Sequence, residues 1–279
     1  MVAPTGATRL AAVIGSPVRH SLSPALHNAA FAAVDLDWVY VALEVPSGQV
    51  PAALDGARAL GIAGLSVTMP HKEAAAAACD RLTDAAAVLG AVNCIVTEGD
   101  RLVGHNTDGA GFVAALAADG IEIEGRRCVV LGAGGAARAV ALALATEGAD
   151  EVGVVNRTES RAREVVDLLG ARGRVVEASA VGSVVGAADL VVNGTPIGMG
   201  RPGPGEMPID PALLRGGQVV VDLVYEPRET PFLDAARQCG AVAINGIPLL
   251  VHQAAIAFHL WTGVDAPVEI MTAAATQMP

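Results

Sequence analysis

Lys72 is the only lysine in a chain whose Lys and Arg together number 18, so the other seventeen are all arginine. A guanidinium stays protonated at every relevant pH, whereas an ammonium can be tuned to exchange a proton. A chain that writes Arg everywhere else and keeps one Lys therefore nominates Lys72 for proton handling. It closes the segment "SVTMPHK", which also carries Thr68. Asp108, in "GHNTDGAGF", supplies a carboxylate. Beside Lys72 it would make a couple able to take the proton of a neighbouring hydroxyl as that hydroxyl is oxidised. Asp108 equally reads as the cap of the helix that follows it. Ser21 and Ser23 in "RHSLSPALHN" stand two apart, and an extended backbone would turn both hydroxyls to one side. Ser23 before Pro24 also reads as an N-cap with proline at the first helical position. Asn93 in "GAVNCIV" adds an amide.

A different chemistry is written in "CVVLGAGGAARAVALAL". Gly132, Gly134 and Ala137 fall in the G-x-G-x-x-[GA] pattern, directly after a β-like run and at the opening of a helix. The first glycine permits the tight turn, the second lets backbone approach a pyrophosphate, and the small third residue lets helix and strand pack closely. The helix start offers free N–H groups to the phosphates. The next strand ends in "VVNRTESR". An acid there would hold the ribose 2′-OH of NAD. Asn156 stands in its place, and Arg157, Thr158 and Arg161 offer two guanidiniums and a hydroxyl suited to a 2′-phosphate. NADP is the favoured cofactor; the alternative is an ordinary helix start capped by Thr158, with its arginines in solvent.

The elements that must position these groups alternate. "RLAAVIG", "WVYVALEV" and "IAGLSVTM" read as strands around the helices "SPALHNAAFAAV" and "VPAALDGARAL", a βαβαβ rhythm that predicts a mostly parallel sheet. A second series begins near Asp108: helix "DGAGFVAALAADG", strand "RCVVLGA", helix 135–147, strand "EVGVVN", strand-like "ADLVVNGT" and "GQVVVDLVY", helix "PFLDAARQCG" and strand "AVAIN". The last helices, 248–262 and about 267–278, have no strands of their own and are expected to pack back on the first half. The loop "GMGRPGPGEMP" reads as an exposed turn region.

Net charge of −11 and a pI near 4.9 argue against nucleic acid or an anionic membrane as partner. Cys79, Cys94, Cys128 and Cys239 lie far apart without zinc spacing, as buried thiols of a reducing cytosol would, and no metal site is expected. The N-terminal segment lacks a signal-peptide core, and the uncharged stretch 238–264 divides into a strand and a helix bearing Asn245, Gln253 and two histidines, so it reads as core and not as a membrane span. A cytoplasmic protein is the expectation.

Taken in order, "SLSPALHN", "SVTMPHK", "GAVNCI", "NTDG", "LGAGGAARAV", "NRTESR", "NGTPIGM", "DLVYEP" and a late "NG…Q" resemble the shikimate dehydrogenase family along almost the whole chain. The resemblance implies an α/β protein of two domains, a catalytic domain of residues 1–108 plus 247–279 and a Rossmann NADP-binding domain of residues 109–246. It implies an NADP-dependent oxidoreductase interconverting 3-dehydroshikimate and shikimate, on the way to chorismate and the aromatic amino acids, working as a monomer or homodimer. By that resemblance Ser21 and Ser23 take the substrate carboxylate. Thr68, Lys72, Asn93 and Asp108 surround the ring hydroxyls, with Lys72 and Asp108 as the catalytic pair, and Tyr225 and Gln253 complete the pocket. Gly132, Ala133, Gly134, Gly135 and Ala136, with Asn156, Arg157, Thr158 and Arg161, bind the cofactor, and Thr195, Leu223 and Gly246 line the nicotinamide side. Leu249 stands where the family often has Met, and Cys94 where it often has Thr. The alternative within the same chemistry is a quinate, or dual quinate/shikimate, dehydrogenase using NAD or NADP. Outside it stand an NADP-binding sensor without turnover and a methylenetetrahydrofolate dehydrogenase, whose pterin would want aromatic stacking that this aromatic-poor chain hardly offers.

Overall fold

The computed structural model describes residues 4–200 and 206–277. The centre of the expected turn region at 198–208, and position 278 of the expected last helix, lie outside the described residues. The chain divides into two compact units, Met1–Gly111 with Val251–Pro279, and Phe112–Leu250. Both boundaries fall a few residues inside helices that begin at Asp108 and Ile247.

The first unit runs β1 (Arg9–Gly15), α1 (Ser23–Ala33), β2 (Trp38–Glu44), α2 (Val50–Ala59), β3 (Gly64–Val67), α3 (Lys72–Ala78), β4 (Arg81–Leu82), α4 (Asp84–Leu89), β5 (Cys94–Glu98), β6 (Arg101–His105) and the first residues of α5 (Asp108–Ala118). Its sheet has the order β2-β1-β3-β5-β6-β4. β1 lies parallel to β2 and β3, and β4 parallel to β6, but β5 is antiparallel to both neighbours. Five of the six strands therefore run the same way, so the sheet is mostly parallel, as the βαβ rhythm predicts, and β5 alone is reversed, by one hairpin. Glu98 faces Arg101 across Gly99 and Asp100, with Gly99 at φ 66°, and a two-residue hairpin turn of this kind calls for positive φ.

The second unit contains β7 (Arg127–Leu131), α6 (Gly135–Thr146), β8 (Glu151–Val155), α7 (Glu159–Leu169), β9 (Gly173–Val175), α8 (Val181–Ala187), β10 (Leu190–Asn193), β11 (Val219–Asp222), α9 (Pro231–Gln238) and β12 (Val242–Ile244). All its strands pair in parallel in the order β12-β11-β10-β7-β8-β9. That is the doubly wound Rossmann arrangement, with the chain reversing direction of growth between β7 and β10. Its central strands β7, β10 and β11 are rich in valine and almost wholly buried, as a sheet covered on both faces requires.

The chain ends with α10 (Ile247–Thr262) and α11 (Val268–Gln277). From Val251 onward it belongs to the first unit, so these helices do return to the first half. Trp261 explains how α10 seats. A Cβ at Gly64 would lie 2.4 Å from the indole, so only glycine leaves the ring room, and the indole N–H donates to Ile95 O at 3.0 Å. Phe258 stacks on Phe31 of α1. Among the described residues no helix is long and apolar enough to cross a membrane.

Candidate active site

Lys72 opens α3, and two contacts fix that helix start. The buried His71 places ring Nε2 2.6 Å from Val45 O, and Val92 N–H donates to Lys72 O at 2.9 Å. From there Lys72 Nζ reaches Asp108 Oδ2 at 2.5 Å, with side chains only 17% and 9% exposed. A charge-assisted hydrogen bond between two largely buried side chains is stronger than one between neutral groups. Asp108 does not cap its helix. Its own N–H donates to Asn106 Oδ1 at 3.1 Å, so Asn106 takes the turn-closing role and the carboxylate is released toward Lys72.

Asn93 holds the other carboxylate oxygen. Its Nδ2 donates to Asp108 Oδ1 at 2.7 Å, and lies 3.0 Å from Thr107 Oγ1 and 3.4 Å from Gln253 Oε1. Its Oδ1 accepts the Thr107 N–H at 2.7 Å. Thr107 Oγ1 lies 3.2 Å from Gln253 O, tying α10 to the same network. Gly111 lets the helices meet there, since a Cβ on it would sit 2.6 Å from Gln253 N. Lys72, Asp108, Asn93 and Gln253 thus share one connected network, with one proton-bearing pair at its open end. Thr107 and Asn106 are members that the sequence reading does not single out. Both lie in the quoted "HNTDG", where the residue types alone nominate only Asp108 for chemistry.

Ser21 and Ser23 follow β1, and Thr68 follows β3; these strands are parallel neighbours with Ile14 opposite Val67. Their following loops leave the same carboxyl edge, where open α/β sheets bind ligands. The backbone between the serines is not extended: Leu22 has φ −78° and ψ −12° and occupies the N-cap position itself. Ser23 is a buried first helical residue that caps nothing, and its N–H is 3.3 Å from Ser21 Oγ. Thr68 packs against the end of β1, where a Cβ on Gly15 would lie 2.4 Å from Thr68 Cγ2.

In the second unit Gly132 has φ 108°, a conformation that favours glycine, and its N–H donates to Val155 O at 2.7 Å. Gly134 occupies the N-cap position of α6, has no side-chain cap and has nothing within 4 Å of where its Cβ would be. That leaves a bare backbone cradle at the helix start, partly exposed at Ala133, Gly135 and Ala136. Ala137 meets the strand side, with a Cβ on Gly194 falling 2.7 Å from its own. Asn156 Nδ2 donates to Thr158 O at 2.8 Å, which shapes the next turn. Thr158 is the N-cap of α7, but its hydroxyl makes no capping bond, and Arg157 and Arg161 are exposed. The set fits a dinucleotide bearing a 2′-phosphate. Thr195 is held by Asn193, Tyr225 is half-buried with its phenol pKa raised by burial, and Gly246 touches Leu223, where a Cβ would be 2.2 Å from Leu223 O.

Residues 13–95 match the family model described as the shikimate dehydrogenase substrate binding domain. Residues 115–198 match that of shikimate / quinate 5-dehydrogenase, and residues 246–276 the shikimate 5′-dehydrogenase C-terminal domain. Over 278 residues the chain is 48% identical to the shikimate dehydrogenase (NADP(+)) of Moorella thermoacetica, covering 97% of this chain and 94% of that one. The chain belongs to the shikimate dehydrogenase family. Among solved structures of this family it is similar to shikimate 5-dehydrogenase from Thermus thermophilus in complex with NADP(H) and shikimate, with TM-score 0.89, 39% identity, and coverage of 97% and 99%. It is also similar to quinate dehydrogenase from Corynebacterium glutamicum in complex with NAD, with TM-score 0.90, 34% identity, and coverage of 97% and 99%.

Proposed function

We propose that the chain catalyses the reversible NADP-dependent reduction of 3-dehydroshikimate to shikimate, a step toward chorismate and the aromatic amino acids. The observation that carries this is the Lys72–Asp108 pair, 2.5 Å apart and largely buried, in a chain with no other lysine. Oxidising a secondary hydroxyl removes a hydride from carbon and a proton from oxygen. NADP, cradled by Gly132, Ala133, Gly134, Gly135 and Ala136 with Asn156, Arg157, Thr158 and Arg161 at its 2′-phosphate, supplies the hydride acceptor. The Lys72–Asp108 pair takes the hydroxyl proton, holding one proton fewer before the step than after it, and passes it to water to complete turnover. Asn93 keeps Asp108 turned to Lys72 throughout.

Ser21 and Ser23 donate to the substrate carboxylate, so that a chain of net charge −11 holds an anion with neutral donors. Thr68, Asn93, Tyr225 and Gln253 hydrogen-bond the ring hydroxyls, and Thr195, Leu223 and Gly246 line the nicotinamide end. The enzyme acts in the cytoplasm, a reading supported by four cysteines that are all free. It does so as a monomer or homodimer.

The test is the initial rate of nicotinamide reduction with shikimate or quinate, each with NADP or NAD. Turnover confined to shikimate with NADP supports the reading. Comparable turnover with quinate and NAD overturns the substrate and cofactor assignment and leaves the proton pair standing. Absence of turnover with all four combinations overturns the activity itself.

A further inference from the structure

At the carboxyl edge of the second unit's sheet, Asn193 and Asp222 end the neighbouring strands β10 and β11 in register with each other. Both are completely buried, and the reaction above uses neither. Asp222 Oδ1 accepts Asn193 Nδ2 at 2.9 Å and the Val224 N–H at 3.1 Å, while Oδ2 accepts the Thr230 hydroxyl at 2.7 Å. All three partners are neutral. A carboxylate is costly to bury without a counter-charge. The positions just before it on both strands are apolar, Val192 and Val221, so packing alone gives no reason for an acid here.

What the pair does is join two loops. Asn193 Oδ1 accepts both the N–H of Thr195, at 3.0 Å, and its hydroxyl, at 2.7 Å, while Nδ2 also donates to Ile197 O at 3.3 Å. Thr195 lies against the glycine turn, where a Cβ on Gly132 would come 3.1 Å from Thr195 Cγ2. β10 and β7 are the adjacent strands at which the order of the sheet reverses, the crevice where such sheets bind their ligands. On its other side Asp222 fixes the turn after β11 through Val224 N–H, and Val224 O in turn accepts the Gly246 N–H at 3.0 Å.

We propose that Asp222 is a positioning residue that sets the Thr195 loop, through Asn193, and the turn at Leu223, through Val224 N–H, for the nicotinamide end of the cofactor. The proposal rests on the assignment of Thr195, Leu223 and Gly246 made above.

Asp222→Ala in the full chain tests it, with Asp222→Asn as the conservative variant expected to keep the parent's behaviour. The amide keeps the shape: its oxygen still accepts from Asn193 and Val224, and its NH₂ faces a Thr230 hydroxyl able to accept. Asn193→Ala is the second variant, and Thr230→Val removes a bond on the far side of the carboxylate as a control. Calorimetric binding of NADP+ is compared with that of 2′,5′-ADP, which carries the 2′-phosphate half and no nicotinamide, alongside kcat and KM. Asp222→Ala and Asn193→Ala should bind 2′,5′-ADP within about twofold of the parent, and Asp222→Asn, which keeps the three hydrogen bonds, should match the parent throughout. In the two alanine variants NADP+ affinity or kcat should fall by roughly 10- to 100-fold, as misplacement of a distant positioning group does, and Thr230→Val should lose far less. NADP+ affinity and kcat within about twofold of the parent in both alanine variants would overturn the proposal. So would equal weakening of both ligands together with a lowered Tm, which marks a merely structural pair. Failure of the parent protein to bind 2′,5′-ADP overturns the underlying cofactor reading, and that result separates the two failures.

Discussion

His27 should make the first unit acid-sensitive by a calculable amount. It sits on the buried face of α1 with no exposed surface, stacked on Tyr40 at 4.4 Å and tilted against Trp261 at 5.1 Å. Neither ring nitrogen has a hydrogen-bond partner among the described residues, and burial lowers its pKa from 6.5 to about 3. The folded state therefore keeps it neutral while the unfolded chain binds a proton below about pH 6.5. Its stabilising contribution is complete above that pH and is lost as pH falls from 6.5 toward 3. The whole window is worth about 4–5 kcal/mol, and the part between pH 7.5 and pH 5 about 2 kcal/mol. Both tryptophans, Trp38 and Trp261, belong to the first unit, so fluorescence excited selectively at tryptophan during urea unfolding reports on that unit. We expect the parent to lose about 2 kcal/mol more than His27→Leu between pH 7.5 and pH 5. If the two proteins lose the same to within about 0.5 kcal/mol, the imidazole is not held neutral by burial and the reasoning fails.

Lys72→Arg should keep the charge and the fold but lower kcat by roughly 10²- to 10⁴-fold, because a guanidinium cannot exchange the proton; wild-type turnover by the nicotinamide absorbance assay would remove Lys72 from that role. Arg157→Ala and Arg161→Ala should each raise KM for NADP by about tenfold or more and leave KM for NAD unchanged, as expected for loss of a charged hydrogen bond, read as the ratio of kcat/KM for the two cofactors. Gly246→Ala places a methyl 2.2 Å from Leu223 O, and should cost about 3 kcal/mol in the second unit by overpacking against backbone, seen by calorimetry as a lowered transition, with an unchanged tryptophan unfolding curve of the first unit as the check.

The glycine turn was legible because its physics is local. A tight turn with φ 108° and a bare helix start admit few residue types, so Gly132 and Gly134 carry the same meaning in any such strand–turn–helix. Lys72 stands out for another reason, the contrast with seventeen arginines, and its ammonium is paired with Asp108. What stayed hidden was set by partners distant in sequence. The Asn93 amide meets Asp108 fifteen positions on, and Gln253 a further 145 beyond that. No periodicity records that meeting. The same holds for the turn between Ser21 and Ser23, which a two-residue spacing reads as extended, and for the antiparallel β5–β6 hairpin, whose five-residue strands carry too little alternation to announce their direction.

Both units nevertheless obey one positional rule that a sequence does display. The groups of interest lie just past the carboxyl ends of apolar runs. In the first unit Ser21 follows β1, and Thr68 and Lys72 follow β3; in the second Gly132 follows β7, Asn156 follows β8, Thr195 follows β10 and Leu223 follows β11. Parallel strands bring those ends to one edge of each sheet, so the runs themselves say where chemistry can gather before any contact is known. What they leave out is how the edge is kept in shape. That task falls to buried polar residues at the very ends of the strands. Asn193 and Asp222 close β10 and β11 within the apolar pattern and then turn their side chains to the loops beyond. A buried Asn or Asp that ends a valine run is thus better read as support for the loop after it than as an imperfect piece of core.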